Sequence, residues 1–110
     1  ILEAINKNRQ TPLVAAGSLD PISQGWSDKM AEQNFFDFED LQGASIFDAI
    51  KGAGILAKAG AYIVGNTSFS GAMDQVIHNS ALQNEAWKTV GIGITQDKLG
   101  VIKITLIYAE

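Results

Sequence analysis

Thr89-Val90-Gly91-Ile92-Gly93-Ile94-Thr95 and, after a polar break at Gln96-Asp97-Lys98-Leu99-Gly100, Val101-Ile102-Lys103-Ile104-Thr105-Leu106-Ile107-Tyr108 carry the clearest periodicity in the chain. Val90, Ile92 and Ile94 alternate with Gly91, Gly93 and Thr95, the period of two expected of a strand with one buried face. The second run places Ile102, Ile104, Leu106 and Tyr108 on one face. Together they predict an antiparallel hairpin closed by a five-residue loop. The glycines at 91 and 93 predict close approach of a helix or another backbone to this strand. An isolated hairpin is marginal in water, so the residues upstream must cover its apolar face.

The chain has 110 residues, enough for one domain with a real core and too few for two. Apolar residues make up 46% and charged residues 18%, the balance of a folded globular protein. A net charge of −4 argues against nucleic acid as a partner, since phosphate backbones are bound by clustered Lys and Arg. The most apolar stretch, Gly52 to Gly65, is interrupted by Lys58 and diluted by Gly and Ala, so no membrane span is expected. There is no cysteine, which removes disulfides, thiolate nucleophiles and Cys-based zinc sites. The sequence opens on Ile1 without a basic-then-apolar leader and reads as a processed or trimmed product.

Working outward from the hairpin, Ile1 to Gln10 sets Ile1, Leu2 and Ile5 apart from Asn6, Lys7, Asn8 and Arg9, predicting a short amphipathic helix that stops before Thr11-Pro12. Leu13 to Ser18 reads as a connector. Asp20-Pro21 is a helix start, with a capping carboxylate and a proline where its missing N–H does no harm. Ile22, Trp26 and Met30 then follow at a spacing of four, predicting the longest helix to about Asn34 with Trp26 and Met30 in the core. Phe35 to Gly43 reads as a loop holding three aromatics and three carboxylates. Ser45 and Asp48 form a capping box for a short helix from Ile46 that buries Phe47 and Ile50 and closes near Gly52 or Gly54. Gly54 to Gly60 is a small-residue connector, and Ala61-Tyr62-Ile63-Val64 a short buried strand before a turn at Gly65-Asn66. Ser68 or Ser70 caps a further helix with Met73, Val76 and Ile77 inward, fraying near Ser80. The fold class is therefore α+β, an antiparallel sheet flanked by about four helices, in a single domain over residues 1–110.

The order of these elements resembles the CAP superfamily of cysteine-rich secretory, antigen 5 and pathogenesis-related proteins, above all its short bacterial SCP-like members. The residues that carry the resemblance are Ile5-Asn6 with Arg9, Leu19-Asp20-Pro21, Met30 with Asn34-Phe35-Phe36, Gly43 through Phe47-Asp48 with Ile50, Gly54, Gly60, Asn79-Ser80 and Val90-Gly91-Ile92-Gly93. The resemblance implies an α-β-α sandwich and a secreted or cell-envelope location. It also implies a cleft where members often carry two histidines and two acidic residues. Here Phe38 falls on the first histidine, Ala61 on one acidic position and Gln83 on the second histidine, with Asp74 the nearest carboxylate to the fourth. The expectation is a degenerate member without that metal site and without a cofactor.

The remaining chemistry-bearing residues are sparse. His78 is the single histidine, and its spacing of four from Asp74 predicts a surface pair on one helix face. Asp37, Glu39 and Asp40 offer oxygen ligands in one loop but lack the spacing of a calcium-binding loop, so a solvated loop, with one carboxylate capping a turn, is expected. No Gly-x-Gly-x-x-Gly links a strand to a helix, which removes a dinucleotide site. Phe35, Phe36, Phe38 and Tyr62 gather around the position of the lost tetrad, either filling it or forming an apolar groove. The functional expectation is a non-catalytic binding or interaction domain for a lipid-like small molecule or a protein partner. Phe38, Tyr62, Asn79 and Gln83 would line the pocket. The alternative is a hydrolase with its site moved to Asp37, Glu39, Asp40 or His78.

Overall fold

The computed structural model describes residues 1–7, 9–55 and 57–110; the expectations at Asn8, in the opening helix, and Leu56, in the connector, lie outside the described residues. Around the predicted hairpin, β3 (Thr89–Gln96) and β4 (Ile102–Ala109) pair antiparallel from Thr89 opposite Ala109 to Gln96 opposite Ile102. The loop between them is fixed by Asp97, whose carboxylate accepts from the Leu99 and Val101 N–H groups at 2.9 Å each. Its glycine, Gly100, takes a positive φ of 83° that a side chain would resist.

β2 (Ala59–Asn66) pairs antiparallel with the other edge of β4, and β1 (Val14–Ala15) lies parallel to the start of β3, giving the order β1-β3-β4-β2. The sheet is therefore mixed. The residues read as a connector supply its parallel edge, too short to carry any periodicity: the Val14 and Ala16 N–H groups donate to the Lys88 and Val90 carbonyls at 3.0 and 2.9 Å.

β4 is central and buried on both faces, which corrects the expectation of a single buried face. Even-numbered Ile104, Leu106 and Tyr108 join Val64, Val90, Ile5, Ala72, Val76 and Leu82 under α1 (Leu2–Asn6) and α4 (Phe69–Ile77). Odd-numbered Ile107 and Ala109 join Leu19, Trp26, Met30, Ile46 and Ile50 under α2 (Asp20–Gln33) and α3 (Ile46–Gly52). Lys103 and Thr105 look like solvent-facing positions in the sequence, yet both are buried. Thr105 hydrogen-bonds Ser27 at 2.7 Å, while the Lys103 ammonium lies 3.9 Å from Asp97 and 5.6 Å from the Phe36 ring centroid. The two helical layers make the expected α-β-α sandwich.

Local signals place the helices well. The Ser45 and Asp48 capping box forms in full, Ser68 caps α4, and α2 ends on Asn34 in the left-handed region at φ 55°. Several side chains depart from the expectation. Asp20 is the first residue of α2, not its cap, and its carboxylate accepts instead from the Ile92 N–H at 3.0 Å. In α3, Ile46 and Ile50 turn inward at a spacing of four, leaving Phe47 39% exposed. In α4 the fully buried pair is Ala72 and Val76, with Met73 and Ile77 only half-buried. Ile94 is 37% exposed because α4 crosses β2 and β4 and leaves the hairpin end of β3 uncovered.

α1 is shorter than expected because its continuation is tied down elsewhere. Asn6 clamps both backbone groups of Leu13, accepting at 2.8 Å and donating at 3.1 Å. The buried Arg9 guanidinium donates to the carbonyls of Leu82, Asn84 and Trp87 and lies 3.7 Å from Glu85. It thereby gathers the 3-10 turn Ser80–Gln83 and the approach to β3 around one charge.

The closest helix-to-sheet contact is at the strand glycines. A Cβ on Gly91 would sit 2.4 Å from the Leu19 carbonyl carbon, and one on Gly93 2.3 Å from the Ser23 oxygen. Gly25, exposed within α2, has nothing within 4 Å of its would-be Cβ. We expect Gly93→Ala to cost roughly 3 kcal/mol by forcing α2 off the sheet. Gly25→Ala should instead stabilise by about 0.5–1 kcal/mol through helix propensity. Urea denaturation of the two variants checks both signs, and equal effects would refute the contact.

Candidate functional site

The loop after α2 holds Asp37, Glu39 and Asp40, and two of these carboxylates bond the backbone. Asp40 is buried: its Oδ1 accepts from the Gln42 and Ala44 N–H groups at 2.9 Å each, and its Oδ2 accepts from Lys29 at 3.1 Å. The Ala44 N–H is the largest influence holding its pKa below the ordinary carboxylate range, with help from Lys29 and the Gln42 N–H and against burial, which pushes it up. Asp37 accepts from the Phe38 N–H at 2.7 Å, and Glu39 makes a bridge with Ser45 through its backbone. This is the turn-capping role expected of one carboxylate in the loop, and it falls to Asp40.

Phe38 and Tyr62, expected to line one pocket, lie on opposite faces of the sheet. Phe38 packs on the α2 and α3 cluster with its ring centroid 6.3 Å from that of Phe47, whereas Tyr62 belongs to the α1 and α4 cluster. The alternation of β2 causes this: Ala61 and Ile63 face α2 and α3, so Tyr62 between them faces away. Asn79 turns its side-chain oxygen to the Ala81 N–H at 3.1 Å, capping the 3-10 turn, and its buried amide nitrogen has no partner among the described residues. Gln83 is exposed. Trp26 and Phe35 meet edge to face at 5.9 Å, and the Trp26 N–H donates to the Asp37 carbonyl at 2.9 Å, so these aromatics serve packing.

The positions matched by resemblance to a metal tetrad are divided in the same way. Phe38 and Ala61 sit on the α2 side and carry no ligating atom, while Asp74 is exposed on α4. Among the described residues no group of three or more His, Cys, Asp and Glu is placed to hold a metal ion. His78 ends α4, exposed, with Nδ1 2.7 Å from the backbone carbonyl of Asp74, not its carboxylate. The spacing of four thus produces a contact, but one that closes the helix.

Among the described residues, clefts open in two regions of the surface. One, of about 220 Å³, lies between the end of α2 and the β3–β4 loop and is lined by Ala31, Glu32, Asn34, Asp97, Lys98 and Leu99, charges of both signs. The other, of about 480 Å³, lies between α3 and the start of β2 and is lined by Phe47, Ile50, Lys51, Ile55, Ala57 and Ala59. None of the four expected lining residues contributes to either. The second cleft was hidden in the sequence because Phe47 reads as core and the stretch around Gly54 to Gly60 as a plain connector. The signal that would have found it is Phe47 falling beside, not on, the Ile46 and Ile50 stripe.

No family model matches the sequence, and no curated protein matches it. Solved structures do. The chain superposes on an extracellular protein containing an SCP domain from Bacillus anthracis with a TM-score of 0.75 at 16% identity, over 98% of this chain and 39% of that one. It superposes on an outer surface protein from Borrelia burgdorferi with a TM-score of 0.76 at 13% identity, over 99% of this chain and 85% of that one. The chain therefore has an SCP-like fold. It spans well under half of the Bacillus protein.

Because Asp40 has a depressed pKa in the folded state, its contribution to stability is present above the pKa it has when unfolded and is lost as pH falls through the folded value. Melting temperature should therefore drop on acidification below about pH 4. Asp40→Asn should be less stable at neutral pH and lose part of that acid dependence. Thermal melts from neutral to strongly acidic pH test this; an unchanged acid dependence in the variant would remove Asp40 from the account.

Proposed function

We propose that this chain is a non-catalytic binding domain of an exported or cell-surface bacterial protein, and that it takes a small apolar, lipid-like molecule in the cleft between α3 and β2. The observation that carries the reading is the cleft itself. Its volume of about 480 Å³ falls within the roughly 300–1,000 Å³ common for small-molecule sites, and among the described residues five of the six that line it are apolar. Exposed Phe47 offers an aromatic wall at its mouth, and Lys51 is the one charged residue among the described residues that line it.

Two further points support the reading. Of the groups that a relocated hydrolytic site would need, Asp37, Asp40 and His78 each bond a nearby main-chain group. Catalysis also needs a base, a nucleophile or water, and a stabilising donor converging on one point, whereas His78 ends α4 and the three carboxylates lie in the loop on the α2 side of the sheet. The similar folds belong to an extracellular protein and an outer surface protein, which supports export, and no helix among the described residues is long and apolar enough to cross a membrane.

Native mass spectrometry of the purified chain, with and without a fluorescent fatty acid, is the direct test. We expect one apolar molecule bound per chain and about tenfold weaker uptake in Phe47→Ser, with melting temperature little changed because Phe47 is exposed. Uptake that is undiminished in Phe47→Ser, or absent in the wild type, would overturn the reading.

A further inference from the structure

We infer that the free edge of β2 pairs with the same strand of a second copy of this chain, joining the two sheets about a two-fold axis.

The Ile92 and Ile94 N–H groups point away from β4, donating to Asp20 and Gln24 of α2 at 3.0 Å each. Gly91, Gly93 and Thr95 must then face β4, at Ile107, Thr105 and Lys103. Alternation along β4 turns Ile102, Ile104, Leu106 and Tyr108 toward β2, where they meet Asn66, Val64, Tyr62 and Gly60. Ala59, Ala61, Ile63 and Gly65 are left with N–H and C=O groups directed outward. Among the described residues one hydrogen bond reaches them: the Tyr108 hydroxyl crosses over Gly60 to the Ala61 carbonyl at 3.4 Å.

The two edges of the sheet are treated differently. On the far side β1 is only two residues long, and beyond it the side chains of Asp20 and Gln24 cap β3. β2 has eight residues, no proline and no charged side chain, so it lacks the devices that keep solvent-exposed edges from pairing.

The chemistry of the edge selects the second copy. One antiparallel two-fold register uses every outward residue: Ala59 lies opposite Gly65 of the second copy and Ala61 opposite Ile63, each pair exchanging two N–H···O bonds. The same register puts Tyr62 opposite Tyr62 at the axis, a close aromatic pair on the α4 face. Lys58 lies opposite Asn66, and the two copies of Lys58 are roughly 27 Å apart, so no like charges meet across the edge. Gly65 carries the ring of Phe36, itself 50% exposed, on the α2 face. The register brings Gly65 beside the second copy's Ala59, which lines its apolar cleft, so exposed Phe36 comes to rest at the neighbour's cleft mouth.

Sedimentation velocity over a concentration series, with oxidative cross-linking, tests the inference. The wild type should double in mass as concentration rises. Ala61→Pro removes an outward N–H that β4 does not use and should weaken association about tenfold or more. The chain has no cysteine, so Tyr62→Cys should give a disulfide-linked dimer on mild oxidation, about tenfold faster than Asn66→Cys. Tyr62→Cys decides the question if Ala61→Pro fails to fold. A wild type that stays monomeric at the highest concentration reached, or equal cross-linking at the two positions, would overturn the inference.

Discussion

The rest of the structure depends on the direct contact between the backbone of α2 and the backbone of β3. Any side chain at Gly91 or Gly93 would hold the two apart, because the positions a Cβ would take are already occupied by the main chain of Leu19 and Ser23. At that range the small polar side chains of α2 reach the strand: Ser23 and Ser27 donate to the Gly91 and Gly93 carbonyls at 2.9 and 3.2 Å. Asp20 and Gln24 meet Ile92 and Ile94 along the strand's outer edge. The match is geometric, since four residues of helix advance about 6 Å and two residues of strand about 6.6–6.8 Å. α2 thus supplies the hydrogen bonds that a longer β1 would otherwise have made. The conformational freedom that glycine loses in a strand is offset by burying polar groups that are all paired.

Arg9 imposes a second constraint from the other layer. A buried guanidinium is costly unless its donors are used, and here they are spent on three carbonyls of a segment without regular structure beyond one short turn. That segment delivers Trp87 to the ring of Tyr108, 4.7 Å away, and starts β3 where Val90 can enter the core. Asn6 does the same for the connector before β1. Polar chemistry in this chain is therefore largely committed to holding backbone in place, which leaves an apolar cleft and an open strand edge as its uncommitted surfaces.

Much of the architecture was legible because its signals are local. The hairpin, the capping box at Ser45 and Asp48, the cap at Ser68 and the end of α2 at Asn34 rest on neighbours a few residues apart or on a strict period. β1 was not legible, since two residues carry no period and parallel pairing is decided by a strand 75 residues away. The burial of Lys103 and Thr105 was not legible either. Each looks polar on a half-buried strand and becomes interior only once Asp97, Phe36 and Ser27 close over it.

The expected pocket shows the same limit at the level of function. Sequence resemblance put Phe38, Tyr62, Asn79 and Gln83 together, but a one-residue step along β2 sends Tyr62 to the face opposite Phe38. The sequence by itself determined the fold class and the turns and caps, because these follow from local dihedral and side-chain preferences, while the glycines at 91 and 93 are required by the distant backbone of α2 that packs against them. Only the tertiary structure decided which side chains share a surface. Faces, edges and clefts are properties of how distant segments are brought into register, and register is settled by the packing of the whole.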